Sequence, residues 1–116
     1  MDIYHAFFNL NAGESDVEFA DNLSSFMAFL KEQRKIEDWR LMRRKLGLGP
    51  KEMGEFHLMI ETRDLAQLDA AFTQVSERSG DTEVKHASVN QKIASVTFAL
   101  YRDFPDDHRK RGEEKF

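Results

Sequence analysis

Five side chains in this sequence could move protons or hold an anion: His5, His57, Arg40, Arg44 and Tyr101. An imidazole is the group best placed to exchange a proton near neutral pH, and a guanidinium grips a carboxylate or phosphate through two parallel hydrogen bonds. Gathered in one place they would suit a small anionic or phenolic molecule, with His5, His57 and Tyr101 as the catalytic candidates. Arg40, Arg44, Asn9 and Met59 are the residues expected to contact such a ligand. A plainer assignment stays open: both histidines bond to backbone or water at an interface, and the arginines pair with Glu61 and other acids.

Other chemistries find less support. The chain has no cysteine, so thiol nucleophiles, thiolate metal sites and disulfides are absent, in keeping with a reducing compartment. His5, His57, His86 and Glu61 offer nitrogen and oxygen donors, but no two histidines have the close spacing of a metal motif, and no metal or other cofactor is expected. His108 sits in a charged tail and is expected to be solvated. No serine stands in a nucleophile elbow.

These residues lie far apart in sequence, so only a fold could assemble them. Ile3 to Leu10 is dense in apolar and aromatic residues and closes on Asn11-Ala12-Gly13, the signature of a strand and turn. Ser15 to Glu18 has the form of a capping box. Phe19, Leu23, Phe26, Met27 and Leu30 then recur at helical period up to about Arg34. Alternation returns from Ile36 to Leu46 and again from Glu55 to Thr62, separated by Gly47-Leu48-Gly49-Pro50. Asp64 and Gln67 open a second helix carrying Leu65, Leu68, Phe72 and Val75. Val84, Val89 and Ile93 fit neither period, so residues 81–92 read as a loop with room for a short turn of helix. A last strand runs from Ile93 to Arg102.

The order strand, helix, strand, strand, helix, strand is the split βαβ pattern, so the predicted fold is a ferredoxin-like α+β domain over residues 1–104. Right-handed crossovers put both helices on one face of a four-stranded antiparallel sheet. The helix-facing parity supplies the expected core: Tyr4, Ala6 and Phe8; Trp39 and Leu41; Phe56, Leu58 and Ile60; Val96, Phe98 and Leu100. Residues 105–116 are charged, with one large apolar side chain, and are expected to be disordered.

The other parity holds the chemistry-bearing residues together with Ile3, Phe7, Met42 and Met59. Apolar groups side by side there would form a patch at or beyond the few hundred Å² of greasy surface that soluble monomers usually tolerate. A homodimer is the economical cover, because a two-fold axis lets one patch bury itself against its twin. Residues 81–92 folding over the sheet are the alternative.

That layout, with Trp39-Arg40-Leu41-Met42-Arg43-Arg44-Lys45-Leu46-Gly47 and the ending Leu100-Tyr101-Arg102-Asp103-Phe104-Pro105, resembles the dimeric α+β barrel superfamily. Within it the chain is similar, over residues 1 to about 106, to a group of short bacterial proteins of unknown function. The resemblance implies paired sheets forming a barrel able to hold small molecules. The superfamily includes cofactor-independent monooxygenases, haem-degrading enzymes and stress-responsive proteins. A haem-degrading role would call on an asparagine, a tryptophan and a histidine. Asn9 and Trp39 are present, but Trp39 falls on the core parity, so those positions do not carry over.

Partners follow from charge. Lys31 to Lys45 carries seven bases and three acids, a net +4, and the whole chain −4, which leaves −8 elsewhere. A pI of about 5.6 and a third strand lacking the RNA-recognition motif argue against nucleic acid. No apolar stretch approaches the roughly 20 residues of a bilayer span, and no basic region followed by an apolar run opens the chain, so a cytoplasmic, membrane-free protein is expected. Three functions stay open: a binder of a small anionic or phenolic molecule between paired sheets, a cofactor-independent monooxygenase-type enzyme with a histidine general base, and a structural dimer without ligand.

Overall fold

The computed structural model describes residues 1–76, 80–106, 108 and 111, at 81 the backbone only. Its elements are β1 (Asp2–Leu10), α1 (Asp16–Glu32), β2 (Asp38–Arg43), β3 (Phe56–Thr62), α2 (Leu65–Ser76), α3 (Gly80–Asn90) and β4 (Ile93–Arg102). The strands form one antiparallel sheet in the order β2-β3-β1-β4, the ferredoxin-like arrangement. Among the described residues no helix is long and apolar enough to cross a membrane. The expectation of a disordered tail from 105 falls mostly on residues outside those described.

Local chemistry accounts for the helix ends. Ser15 Oγ accepts from the backbone N–H of Glu18 at 3.2 Å, and Asp16 and Glu18 place negative charge at the positive end of α1. At the other end Lys35 N–H donates to the Leu30 carbonyl and Arg34 N–H to that of Lys31, the paired bonds of a Schellman stop. That stop puts Arg34 at φ 59°, a left-handed conformation usually given to glycine. In α2 the Asp64 carboxylate accepts from Gln67 N–H at 2.8 Å, while the buried Gln67 amide donates to the Arg34 carbonyl and to Glu37. One side chain thus ties the start of α2 to the stop of α1.

The core lies between the helices and one sheet face: Phe8, Phe19, Leu23, Met27, Leu30, Phe56, Leu58 and Ile60, with Tyr4, Trp39 and Leu41 packed half-buried against it. The Phe8 ring stands 5.3 Å from that of Phe19 and 5.7 Å from that of Phe56, so β1, α1 and β3 meet through aromatic contacts.

Three expectations are corrected. Residues 81–92 are not mainly loop: 80–90 form α3. Its buried positions are Thr82 and Val89, with His86 half-buried between them, while Val84 is exposed. The inner stripe therefore runs through a threonine and a histidine, which hydropathy does not register. Second, Val96, Phe98 and Leu100 lie opposite Phe8, Ala6 and Tyr4 on the helix-facing side, yet they are 41%, 58% and 53% exposed. β4 is an edge strand that the helices do not cover, so correct parity does not make these residues core. Third, β2 ends at Arg43, because Leu46 and Gly47 both turn into positive φ and carry the chain away from the sheet.

Two substitutions measure these constraints by urea unfolding. Arg34→Gly should stabilise the fold by about 1 kcal/mol, the cost of a left-handed residue with a Cβ. Gly54→Ala should destabilise it by about 1–3 kcal/mol, because a Cβ there lands on the backbone of Phe8. Unchanged midpoints would mean that neither backbone is constrained as described.

Candidate functional site

The far sheet face brings most of the sequence-derived candidates together. β1 pairs with β3 so that His5 lies opposite Met59 and Phe7 opposite His57. The two histidines are therefore diagonal neighbours, close enough for their side chains to meet across the strands. His5 Nδ1 and His57 Nε2 are 2.8 Å apart, a hydrogen bond that needs at least one neutral ring to accept. The Phe7 and His57 rings stack at 4.2 Å, and Tyr101 meets the edge of His5 at 5.0 Å. Arg40 and Met59 are register partners beside this cluster, with Arg40 exposed.

Burial holds both imidazoles below the ordinary histidine range, and for His57 the nearby His5 charge adds to the effect. The pair is thus disposed to stay neutral, as a proton acceptor or as a component of an apolar interface. Asn9 and Arg44 are engaged elsewhere. Asn9 accepts from Glu55 N–H at 3.0 Å and donates to Ser95 Oγ, a cross-strand structural role. Arg44, expected to point into the site, lies beyond β2 and donates to the carbonyls of Pro50 and Met53, each at 2.7 Å. It braces the β2–β3 loop because the strand stops one residue too early for its side chain to continue the far-face row.

An apolar hollow lies on the opposite side of the sheet. A cavity of about 240 Å³ opens between the three helices and β1, β3 and β4, walled by apolar groups such as Phe26, Leu58, Phe72 and Phe98. Its polar lining is confined to Tyr4, His86 and Asn90. Burial pushes the Tyr4 hydroxyl up to about 12, so it remains a neutral phenol. Reading the sequence missed this site. Its polar members come largely from α3, whose apolar pattern is broken, and the hollow depends on how far the helices stand off from β4. Among the described residues no group of three or more His, Asp or Glu side chains gathers where a metal could be held.

Solved structures share this architecture. A protein from Arabidopsis thaliana superposes with a TM-score of 0.71 at 6% identity, covering 91% of this chain and 98% of that one. SnoaB, a cofactor-independent oxygenase from Streptomyces nogalater, gives 0.64 at 11% identity over 93% and 96%. A dimeric protein of unknown function and ferredoxin-like fold from Bacteroides fragilis gives 0.57 at 14% identity over 88% and 95%. At such identities the likeness carries the fold alone, and the class it defines is that of ferredoxin-like α+β proteins. No curated protein matches the chain in sequence. A family model does match it from 1 to 116: the chain belongs to DUF6614, a family of unknown function.

The neutral histidine pair has a consequence for stability. As pH falls, the unfolded chain takes up protons near the ordinary histidine value of about 6.5, before the folded pair does. Stability should therefore be level above about pH 6.5 and decline as pH drops below it. Urea midpoints at pH 8 and pH 5.5 should show the decline, and it should shrink in His57→Phe, which retains the stack on Phe7. A variant whose decline equals the parent's would place its origin elsewhere.

Proposed function

We propose that this protein is a homodimer whose subunits each bind a small, largely apolar aromatic molecule in the cavity between the helices and the sheet. The observation that carries the reading is the cavity itself, about 240 Å³ with walls that are apolar except at Tyr4, His86 and Asn90. Binding sites for small molecules are mostly greasy hollows with a few polar groups, and this one has the size for a one- or two-ring compound. Apolar walls that face this opening are stabilised by an apolar occupant, at about 25 cal/mol per Å² of surface covered.

The dimer rests on the other face. Ile3, Phe7, Met42 and Met59 lie there half-buried around the neutral histidine pair, and Tyr101 is 62% exposed. Among the described residues no helix covers this side, and a second copy would bury it against itself. The dimeric protein of the same fold from Bacteroides fragilis supports that pairing. A second reading places an anionic or phenolic ligand between the paired sheets, with His57 or His5 as general base and Arg40, Met59 and Tyr101 around it. The 2.8 Å bond between the two imidazoles favours it.

Substitution separates the two sites. Aromatic probes such as naphthalene should raise the thermal midpoint, since a ligand at 100 times its Kd adds about 2.7 kcal/mol. Ala71→Phe, which fills the buried cavity wall, should abolish that shift while leaving the protein folded. If His57→Ala abolishes it and Ala71→Phe does not, the ligand lies between the sheets. No shift with any aromatic probe would overturn the cavity reading. Sedimentation at micromolar concentration should give twice the chain mass and, in Phe7→Asp, that of one chain; a single-chain mass for the parent protein would overturn the dimer.

A further inference from the structure

Two residues of α3 stand in an arrangement that helix packing does not require. His86 lines the cavity, with its ring 5.8 Å from that of Phe26. Its Nδ1 lies 4.0 Å from Oε2 of Glu83, one turn earlier. That carboxylate oxygen is buried and has no hydrogen-bond partner among the described residues. A buried acceptor without a donor is costly, more so when it is charged, and calls for a reason. At 4.0 Å the imidazole attracts the carboxylate but does not yet satisfy it.

We infer that His86 in the cavity wall, paired with Glu83 one turn away on α3, accepts the proton of a weakly acidic hydroxyl, phenolic or enolic, on the molecule bound there. The inference rests on the cavity reading proposed above. With Nδ1 turned toward Glu83, Nε2 is the nitrogen left for the ligand. In the step itself the ligand O–H bond breaks, its electron pair stays on oxygen, and the proton forms a new bond to Nε2. The product is a phenolate or enolate beside an imidazolium. That imidazolium donates from Nδ1 to the waiting Glu83 oxygen, and a closure of about 1 Å makes a charge-assisted bond of roughly 2.8 Å. The tautomer whose Nε2 is free to accept already carries its proton on Nδ1, so the arriving proton adds charge and not a donor: it turns a neutral N–H facing Glu83 into a cationic one, which favours the proton-loaded state over the resting one.

The surroundings suit this division of labour. Tyr4 and Asn90 are the other polar groups lining the cavity, and both are neutral, so each can donate a hydrogen bond to the new oxyanion without competing for the proton. On the same helix Lys85 is directed to the face of the Phe29 ring at 5.5 Å, away from the pair. No charged side chain of α1, α2 or the sheet is among the residues lining the hollow. Glu83 is therefore the group that can compensate a charge formed on His86, and it acts as a positioning residue while His86 meets the ligand.

A matched pair of probes tests this on the intact protein. Nitrobenzene reports on occupancy of the cavity, and 4-nitrophenol adds a hydroxyl whose ionisation is read directly by absorbance. Below the pH at which free 4-nitrophenol ionises, wild-type protein should raise the phenolate fraction of the bound probe at least tenfold. His86→Gln, compared at saturating probe, should lose the phenolate signal. Glu83→Gln should keep nitrobenzene binding and cut the signal threefold or more, which a merely structural role for the glutamate would not do. If nitrobenzene binds and bound 4-nitrophenol stays as protonated as in solution, or ionises equally in His86→Gln, the pair is not a proton acceptor. If neither probe binds, the cavity reading falls and takes this inference with it.

Discussion

A four-stranded sheet has two faces, and the helices of this chain cover one of them. Everything else follows from how the apolar residues are divided between the two sides. The helix side buries Phe8, Phe56, Leu58 and Ile60 under α1 and α2 and makes the folded subunit. The far side carries Phe7, Met42 and Met59 around two hydrogen-bonded histidines, with no helix over it among the described residues. Strand alternation links the two: a register shift of one residue would exchange the sides and bury the histidines in the core.

The helix layer is itself incomplete. It lies over β1, β3 and β2 and falls short of β4, where Val96, Phe98 and Leu100 stand open. The shortfall is what makes the cavity, because α2 and α3 reach toward the edge strand without closing on it. Stability and the proposed binding therefore draw on the same apolar surface. Residues that would complete a tighter core instead form one wall of a hollow, and the proposed ligand takes the place of side chains that the chain does not supply.

The fold family was legible in the sequence because its evidence is local. Ser15 with Glu18 and Asp64 with Gln67 announced the starts of two helices, and the stripe from Phe19 to Leu30 announced a buried face. Alternation in Phe56 to Thr62 placed His57 and Met59 on the side away from the core. That His5, His57 and Tyr101 share a face was legible from alternation within each strand, once the apolar set of each strand is assigned to the helix side. Arg44 shows where that reasoning stops. Parity assigned it to the same row, but a turn at Leu46 and Gly47 ended the strand first and sent its guanidinium to the loop carbonyls.

The amino-acid order determined the succession of elements, the register-bearing alternation and the composition of each sheet face. These depend on hydrogen bonds and sterics between near neighbours, which residue types encode directly. Tertiary packing alone decided that α3 exists with Thr82, His86 and Val89 inward, that β4 is uncovered, and that His86, with Glu83 one turn away, lines a hollow. A cavity is defined by distances between elements remote in the chain, and no local pattern of residues records how closely two layers approach.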